Sequence, residues 1–331
     1  MSARFPDTET IRAALGLAIQ APSVHNTQPW NWQVDNQGLH LFADFTRHLR
    51  SSDPDRRDLI VSCGVTLHHC VVALAALGWH AKVHRFPNPD DPAHLASIDV
   101  LPQTPGEVDI ILAAAIRRRR SDRRPYNSWP VPGGDIALMG ARAARGGVML
   151  RQIDLLPRLN EVVARSVLSH AIDDDHLMEL NPCPGRPNSY GGVAARNTSL
   201  ADSTARIPSR LFTGAALRQS ADAEQTFDNA IVLALGTAED DALARLRAGE
   251  ATSLVLLSAT AMGLATCPVT EPLEIPETRE AVRADLFGTS GHPQMLLRLG
   301  WAATNADPLP ATPRRPLTEV AGWVEDGSFV A

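Results

Sequence analysis

An internal match between two segments 185 positions apart constrains the fold of this 331-residue chain more than any other feature. Residues 63–79 align without a gap on residues 248–264, with Gly64 on Gly249 and Gly78 on Gly263. Each segment has the pattern of a buried helix that ends at a glycine and leads into a strand. If the match reflects a duplication, the chain consists of two related α+β halves joined near residues 105–115. The alternative is that the two segments are simply ordinary buried helices.

The remaining hydrophobic periodicity also divides into two sets of elements. The first set has predicted helices at residues 7–20 and 53–77, the latter with Pro54 in its first turn, and strands at 30–34, 39–43, 80–86 and 95–100. The second has helices at 108–118, 136–145, 155–171 and 240–262, and strands at 148–153, 230–235, 265–269 and 295–299. We accordingly assign residues 1–110 to the first half and 111–331 to the second.

Residues 173–228 interrupt this pattern with a long stretch rich in turn-forming residues, including three consecutive aspartates and a Pro/Asn/Gly cluster. So long a weakly structured stretch inside a domain is either disordered or a functional lid. We interpret residues 173–228 as a lid.

Composition narrows the class of protein. With 44% hydrophobic and 21% charged residues the chain reads as soluble and globular. A net charge of −6 argues against general affinity for nucleic acid or an anionic membrane. The first 20 residues lack the pattern of a signal peptide, and the apolar stretch at 254–269 is too short to span a membrane. Four cysteines without a CxxC pair predict reduced thiols in the cytoplasm.

The most basic segment of the chain holds six arginines within residues 117–124, with Ser121 between them. Guanidinium groups together with a hydroxyl suit a phosphate dianion. A solvated basic patch and a nucleic-acid patch are the alternatives, and no DNA-binding motif supports the second. Arg314 and Arg315, in a Pro-rich tail, form a second basic site that could close over the same phosphate.

A loop between the first helix and the first strand carries alternating polar residues that could face one edge of a ligand: Ser23, Asn26 and Gln28. His25 lies among them, either against the ligand or at the surface. The chain has no HExxH or similar ligand set, which predicts that it binds no metal. It also lacks the GxSxG, Walker A and GxGxxG motifs, which argues against those hydrolase, nucleotide-binding and Rossmann sites.

Four motifs give the chain a resemblance that covers nearly its full length. They are APSxHNxQPW at 21–30, RRSDR at 119–123, GLATCP at 263–268 and PATPRRP at 310–316. With these the chain resembles the FMN-dependent nitroreductase superfamily, and most closely the Acg-type nitroreductase-like proteins of mycobacteria. The resemblance implies an α+β nitroreductase-like fold whose two halves form a fused pseudo-dimer, and hence a monomer.

The resemblance also implies one FMN site shared by the two halves. The phosphate contacts would come from the 119–123 segment and the tail, the loop at 21–30 would cover the flavin, and residues 268–270 would pass near flavin N5. The implied cofactor-binding residues are Ser23, His25, Asn26, Gln28, Arg119, Arg120, Ser121, Arg123, Pro268, Val269, Thr270, Arg314 and Arg315. The resemblance implies no separate catalytic side chain, because the flavin supplies the chemistry.

Departures from the superfamily leave two functions open. The first half lacks an RRSxR segment and the second half lacks a PSxxNxQPW loop. The chain therefore keeps one complete FMN site and not two. The lysine that many nitroreductases place near flavin N1 is missing, since the only lysine is Lys82 in the first half. The chain is thus expected to be an NAD(P)H-dependent flavin oxidoreductase for nitroaromatic or quinone-like acceptors, or a silent protein that stores FMN under a lid.

Overall fold

The computed structural model describes residues 5–153, 156–180, 228–304, 306–325 and 328–330. The helices are α1 (Thr8–Ala18), α2 (Arg57–Ala76), α3 (Glu107–Arg118), α4 (Gly133–Arg145), α5 (Leu156–Ala171), α6 (Asp174–Leu180), α7 (Ala242–Ala261), α8 (Glu271–Glu274), α9 (Pro276–Leu286) and α10 (Leu317–Val320). The strands are β1 (Trp30–Val34), β2 (Leu39–Ala43), β3 (Trp79–Arg85), β4 (His94–Pro102), β5 (Val148–Gln152), β6 (Ile231–Thr237), β7 (Ala265–Val269), β8 (His292–Gly300), β9 (Ala321–Glu325) and β10 (Ser328–Val330).

Two sheets repeat one strand order. The first contains β1-β2-β4-β3 and the second β5-β6-β8-β7, and every neighbouring pair within these sets is antiparallel. In each half a 20-residue helix, α2 or α7, lies in the chain between the second and third strands of its set. The structure therefore has the two related α+β halves that the internal match predicted.

The long helices α2 and α7 pack against each other at the glycines that the sequence match aligns. A Cβ atom on Gly64 would lie 2.9 Å from the Cα of Gly249 and against the carbonyl oxygen of Leu246. A Cβ on Gly249 would lie 2.8 Å from the Cα of Gly64 and against the carbonyl oxygen of Val61. The contacts are exchanged between equivalent residues, as in an interface between two identical subunits.

The end of the chain returns to the first half. Strand β9 pairs in parallel with β1, and β10 pairs with β9, so both extend the first sheet. The division of the sequence at residue 110 had grouped these strands with the second half. A parallel strand added by a distant segment leaves no local signal in the sequence, because its partner is almost 300 positions away.

Aspartates cap the starts of two helices, one of which was predicted to begin earlier and one of which was not predicted. Helix α2 begins at Arg57 rather than at Asp53, since the Asp53 carboxylate accepts hydrogen bonds from the backbone N–H groups of Asp58 (3.0 Å) and Leu59 (2.9 Å). Asp173 caps α6 in the same way, inside the stretch interpreted as a lid. The rest of that stretch, residues 181–227, lies outside the described residues.

Helix α2 is long and apolar enough to cross a membrane, with a mean hydropathy of 1.9, a feature that the sequence analysis missed. The protein buries 72% of its most apolar window, as the core helix of a globular protein would be buried. Among the described cysteines, Cys63, Cys70 and Cys267 are free and buried, in line with the expected reduced thiols.

Candidate functional site

The arginine-rich segment leaves α3 in an extended conformation and runs along the second sheet. Ser121 forms a parallel bridge with Thr266 of β7, and the Asp122 backbone N–H donates to the Thr266 carbonyl at 2.8 Å. Strand β7 is at the edge of its sheet, so its outer hydrogen-bonding groups are available to this segment. These contacts fix residues 119–123 beside the start of β7.

The six arginines of the segment have different surroundings. Arg117 and Arg118 are exposed on the last turn of α3. The guanidinium of Arg124 is paired with the Asp122 carboxylate through two contacts of 2.8 and 2.9 Å. The other three lie around one pocket: Arg119, Arg120 and Arg123.

The loop between α1 and β1 has an unusual backbone conformation. His25, Asn26 and Gln28 have φ values of 44°, 57° and 53°, in the left-handed region that non-glycine residues rarely adopt. Such residues cost about 1–3 kcal/mol each and cluster at functional sites. The Ser23 hydroxyl accepts a hydrogen bond from the Gln28 backbone N–H at 2.9 Å, which helps to hold this conformation.

The same loop anchors the C-terminal tail. Asn26 Oδ1 accepts a hydrogen bond from Arg314 Nη1 at 2.9 Å, and Asn26 Nδ2 donates to the Pro313 carbonyl at 3.1 Å. The Gln28 side chain is fully buried, and its Oε1 accepts from the Arg315 backbone N–H at 2.8 Å. The loop therefore holds the tail, with Arg314 and Arg315, near the arginine-rich segment at 117–124.

These three segments enclose one open pocket of about 60 Å³, enough for several waters or one phosphate group. The pocket brings together seven of the thirteen residues that the sequence predicted. No carboxylate occurs among its lining residues in the described part of the chain. The lining residues are Pro22, Ser23, Asn26, Arg119, Arg120, Ser121, Arg123, Leu309, Pro310, Thr312 and Arg314.

The pocket concentrates positive charge. Burial, together with the neighbouring Arg314 and Arg120, lowers the pKa of the Arg119 guanidinium to about 9, and burial and Arg120 lower the pKa of Arg314 to about 10. Both remain charged at neutral pH. The Nε atoms of Arg119 and Arg314 are buried without a hydrogen-bond partner among the described residues. Buried unsatisfied donors beside like charges suit an anion with several acceptor oxygens, such as a phosphate.

Six predicted site residues do not line the pocket, and three of them belong to the loop and the tail: His25, Gln28 and Arg315. The contacts of Gln28 hold the tail in place. The Arg315 guanidinium forms an ion pair with Glu319 at 3.1 Å. The sequence does not show which way each of these side chains turns.

The predicted flavin-ring residues lie farther along β7. Pro268 and Val269 end that strand, and Thr270, which precedes α8, donates its hydroxyl to Glu274 at 2.7 Å. Thr270 follows Thr266 by four positions, which is about 13 Å in an extended chain. An elongated cofactor with its phosphate in the pocket could extend along β7 towards these residues.

Four lining residues were not predicted from the sequence: Pro22, Leu309, Pro310 and Thr312. Pro22 lies within the loop motif and the other three precede Arg314 in the Pro-rich tail, so adjacency to the motifs was the available signal. The second half has no counterpart of the loop, since only Gly146 and Gly147 separate α4 from β5.

Comparisons with known proteins identify the relatives of this chain. A Mycobacterium tuberculosis protein named "Putative NAD(P)H nitroreductase" is 61% identical over 326 residues, covering 98% of this chain and 95% of the relative. Another, "Putative NAD(P)H nitroreductase acg" of the same species, is 36% identical over 319 residues and covers 95% of each chain. The profile described as the nitroreductase family matches residues 148–301.

Among solved structures, the FMN-dependent nitroreductase NfnB from Mycobacterium smegmatis in complex with NADPH is 21% identical, with a TM-score of 0.38. The match covers 63% of this chain and 97% of that one. The extent and identity of the match to the two M. tuberculosis relatives establish the family of this protein. The chain belongs to the nitroreductase family.

Proposed function

We propose that this chain binds FMN with its phosphate in the arginine pocket and acts as an NAD(P)H-dependent flavin oxidoreductase on nitroaromatic or quinone-like acceptors. The observation that carries the proposal is the convergence of Arg119, Arg120, Arg123 and Arg314 on one pocket whose described lining has no carboxylate. The names of the two M. tuberculosis relatives support the NAD(P)H-dependent activity.

The residues present fit this role. Arg119 and Arg314 would donate charge-assisted hydrogen bonds to phosphate oxygens from their buried guanidiniums, and the Ser121 hydroxyl would add another. Ser23 and Asn26, which also line the pocket, would contact the cofactor from the loop. When bound, FMN would supply the hydride and electron transfer, and the protein would supply position and electrostatics.

The site would combine both halves of a fused pseudo-dimer. The loop at 21–29 comes from the first half and the 119–123 segment and β7 from the second. A superfamily dimer interface would thus be internal to one chain, and we infer that the protein is a cytoplasmic monomer. In this proposal residues 1–110 form the first half and residues 111–331 the second. The exceptions are β9 and β10, which come late in the chain but belong to the first sheet.

FMN storage without turnover is a second candidate, favoured by the position of the single lysine. Lys82 lies on β3, at the edge of the first sheet, and does not line the pocket. Without an ammonium group near flavin N1, the negative charge of the reduced flavin would lack a preorganised partner. The lid proposed for residues 173–228 would favour the same function.

Two measurements test these proposals. FMN affinity should fall at least tenfold in Arg119→Ala, which removes charged hydrogen bonds, and stay unchanged in Arg117→Ala, an exposed arginine of the same segment. Equal affinity in both variants would rule out the pocket as the phosphate site. Anaerobic addition of NADPH or NADH should then bleach the flavin band of the wild-type protein. Bleaching by dithionite alone would favour storage.

A further inference from the structure

Gln28 joins the loop between α1 and β1 to the C-terminal tail, although it does not line the pocket. Its side chain is fully buried. The Oε1 atom accepts a hydrogen bond from the Arg315 backbone N–H at 2.8 Å, and the Nε2 atom donates to the Asn26 carbonyl at 3.2 Å. The two ends of one amide therefore connect the loop to the tail, at the position next to Arg314.

The backbone of Gln28 also holds the loop in its disfavoured conformation. His25, Asn26 and Gln28 all have positive φ values, and such conformations persist only where the surrounding structure holds them. The Gln28 N–H donates to the Ser23 hydroxyl at 2.9 Å, and the Gln28 carbonyl accepts from Arg47 Nη1 at 2.7 Å. The shape of the loop and the docking of the tail thus depend on the same residue.

The tail supplies the guanidinium of Arg314 to the pocket. Its Nη1 atom donates to Asn26 Oδ1 at 2.9 Å, and its Nη2 atom donates to the Gln20 carbonyl at 3.2 Å. The Gln28 amide contacts both Asn26, which orients Arg314, and Arg315, which follows Arg314 in the chain. Displacement of the tail from Gln28 would therefore remove the Arg314 guanidinium from the pocket.

The position of Arg119 has a different origin. This residue belongs to the segment that β7 holds, where the Asp122 backbone N–H donates to the Thr266 carbonyl at 2.8 Å. The Arg119 guanidinium also donates to the Ser121 hydroxyl at 3.3 Å. Arg119 thus lines the same pocket as Arg314 but is held by contacts within the second half.

We propose that Gln28 is a positioning residue of the pocket, which places the Arg314 guanidinium for a bound phosphate-like dianion without contacting that dianion itself. The identity of the dianion as the FMN phosphate rests on the proposed function. Because different contacts hold the two arginines, the contribution of Arg314 to dianion affinity depends on Gln28, and the contribution of Arg119 does not.

Double-mutant cycles of sulfate binding to the full-length protein test this dependence. Sulfate is a dianion without a flavin ring, so a direct contact between Gln28 and the ring of FMN cannot affect its binding. Gln28→Met keeps the length of the side chain and removes both amide hydrogen bonds. Calorimetry at pH 7 measures the affinity for sulfate and, in parallel, the affinity for FMN.

Arg314→Ala should lower sulfate affinity about tenfold or more in the wild-type background, because it removes hydrogen bonds from a charged group. In the Gln28→Met background the same substitution should lower it less than about threefold. Arg119→Ala should cost about tenfold or more in both backgrounds. Gln33→Met is the matched control, since Gln33 is a partly buried glutamine of β1 outside the loop, and there Arg314→Ala should cost as much as in the wild type.

An equal effect of Arg314→Ala in the wild-type and Gln28→Met backgrounds would overturn the proposal. Loss of the Arg119→Ala effect in Gln28→Met would also overturn it, because the whole pocket would then have collapsed. If Gln28→Met does not fold, amide hydrogen exchange of the wild-type protein decides. Sulfate bound to Arg314 should stabilise the docked tail and slow exchange of the Arg315 amide, and unchanged exchange would overturn the proposal.

The two ligands separate this proposal from the proposed function. Sulfate binding with the expected cycle but without FMN binding would keep the role of Gln28 and refute the proposed function. FMN binding with equal Arg314→Ala effects for sulfate in both backgrounds would do the opposite. A wild-type protein that binds neither ligand would refute both.

Discussion

The Oγ atom of Ser253 lies 2.8 Å from Nδ1 of His68, and these residues are 185 positions apart in the sequence. The same spacing relates Gly64 to Gly249, which meet where α2 and α7 cross. Residues near a two-fold axis contact their own equivalents, so an internal axis between the halves explains both contacts. The helix crossing is thus a property of the pair of halves, not of either helix alone.

Replacing Gly64 by alanine should destabilise the protein by about 1–3 kcal/mol, because the new Cβ would collide with the backbone of α7 at Gly249 and Leu246. The free energy of unfolding in urea measures the effect. Gly16→Ala is the control: α1 leaves open space there, and alanine should stabilise the helix by about 0.5–1 kcal/mol. Equal effects of the two substitutions would show that the crossing tolerates a side chain.

The protein should sediment as a monomer of 35.7 kDa, with or without FMN. In the proposed pseudo-dimer, the contact between α2 and α7 takes the place of a contact between separate subunits. Sedimentation equilibrium over a range of concentrations measures the mass. A stable dimer whose dissociation releases FMN would contradict the inference that one chain holds the complete site.

Asn26 and Arg314 should act as a unit in FMN binding, since Asn26 Oδ1 orients the Arg314 guanidinium at 2.9 Å. Alanine at either position should weaken FMN binding, and the double variant should lose less than the sum of the two. A coupling energy of about 0.5–3 kcal/mol is expected from a double-mutant cycle of FMN dissociation constants. The control cycle pairs Asn26 with Arg315, whose guanidinium faces Glu319, and should show additive effects.

Asp240 should make stability depend on pH in the acid range. Burial would raise its pKa, but hydrogen bonds and charge from Arg279 and Gln294 outweigh burial and hold the pKa well below its ordinary value of 3.8. The stabilisation is therefore present above pH 3.8 and lost as pH falls below it.

Asp240→Asn should accordingly lower the urea midpoint at pH 7, and the difference from the wild type should shrink as pH falls towards 3. Asp285→Asn is the control, because Asp285 contacts a largely exposed Arg158 and such pairs contribute little. A difference that persists unchanged at pH 3 would mean that Asp240 acts through packing and not through its charge.

Local patterns in the sequence identified most of the elements. Strands β1, β2 and β7 begin and end where alternation and turn residues predict, because apolar/polar periodicity directly reflects which face of a strand is buried. The start of α2 was misplaced by four residues, since a capping aspartate and a first-turn proline give similar local signals. The short helices α8 and α9 were not predicted, and each begins next to a proline.

The sequence by itself determined the two halves, the family and the segments that form the pocket, because aligned glycines, arginine clusters and loop motifs are encoded locally. Only the tertiary structure decided which side chains meet. Arg124 turns to Asp122, Gln28 turns to the tail, and Arg314 reaches Asn26 from the other end of the chain. Side-chain direction and charge at a site shared by distant segments depend on packing between the halves, which no local pattern specifies.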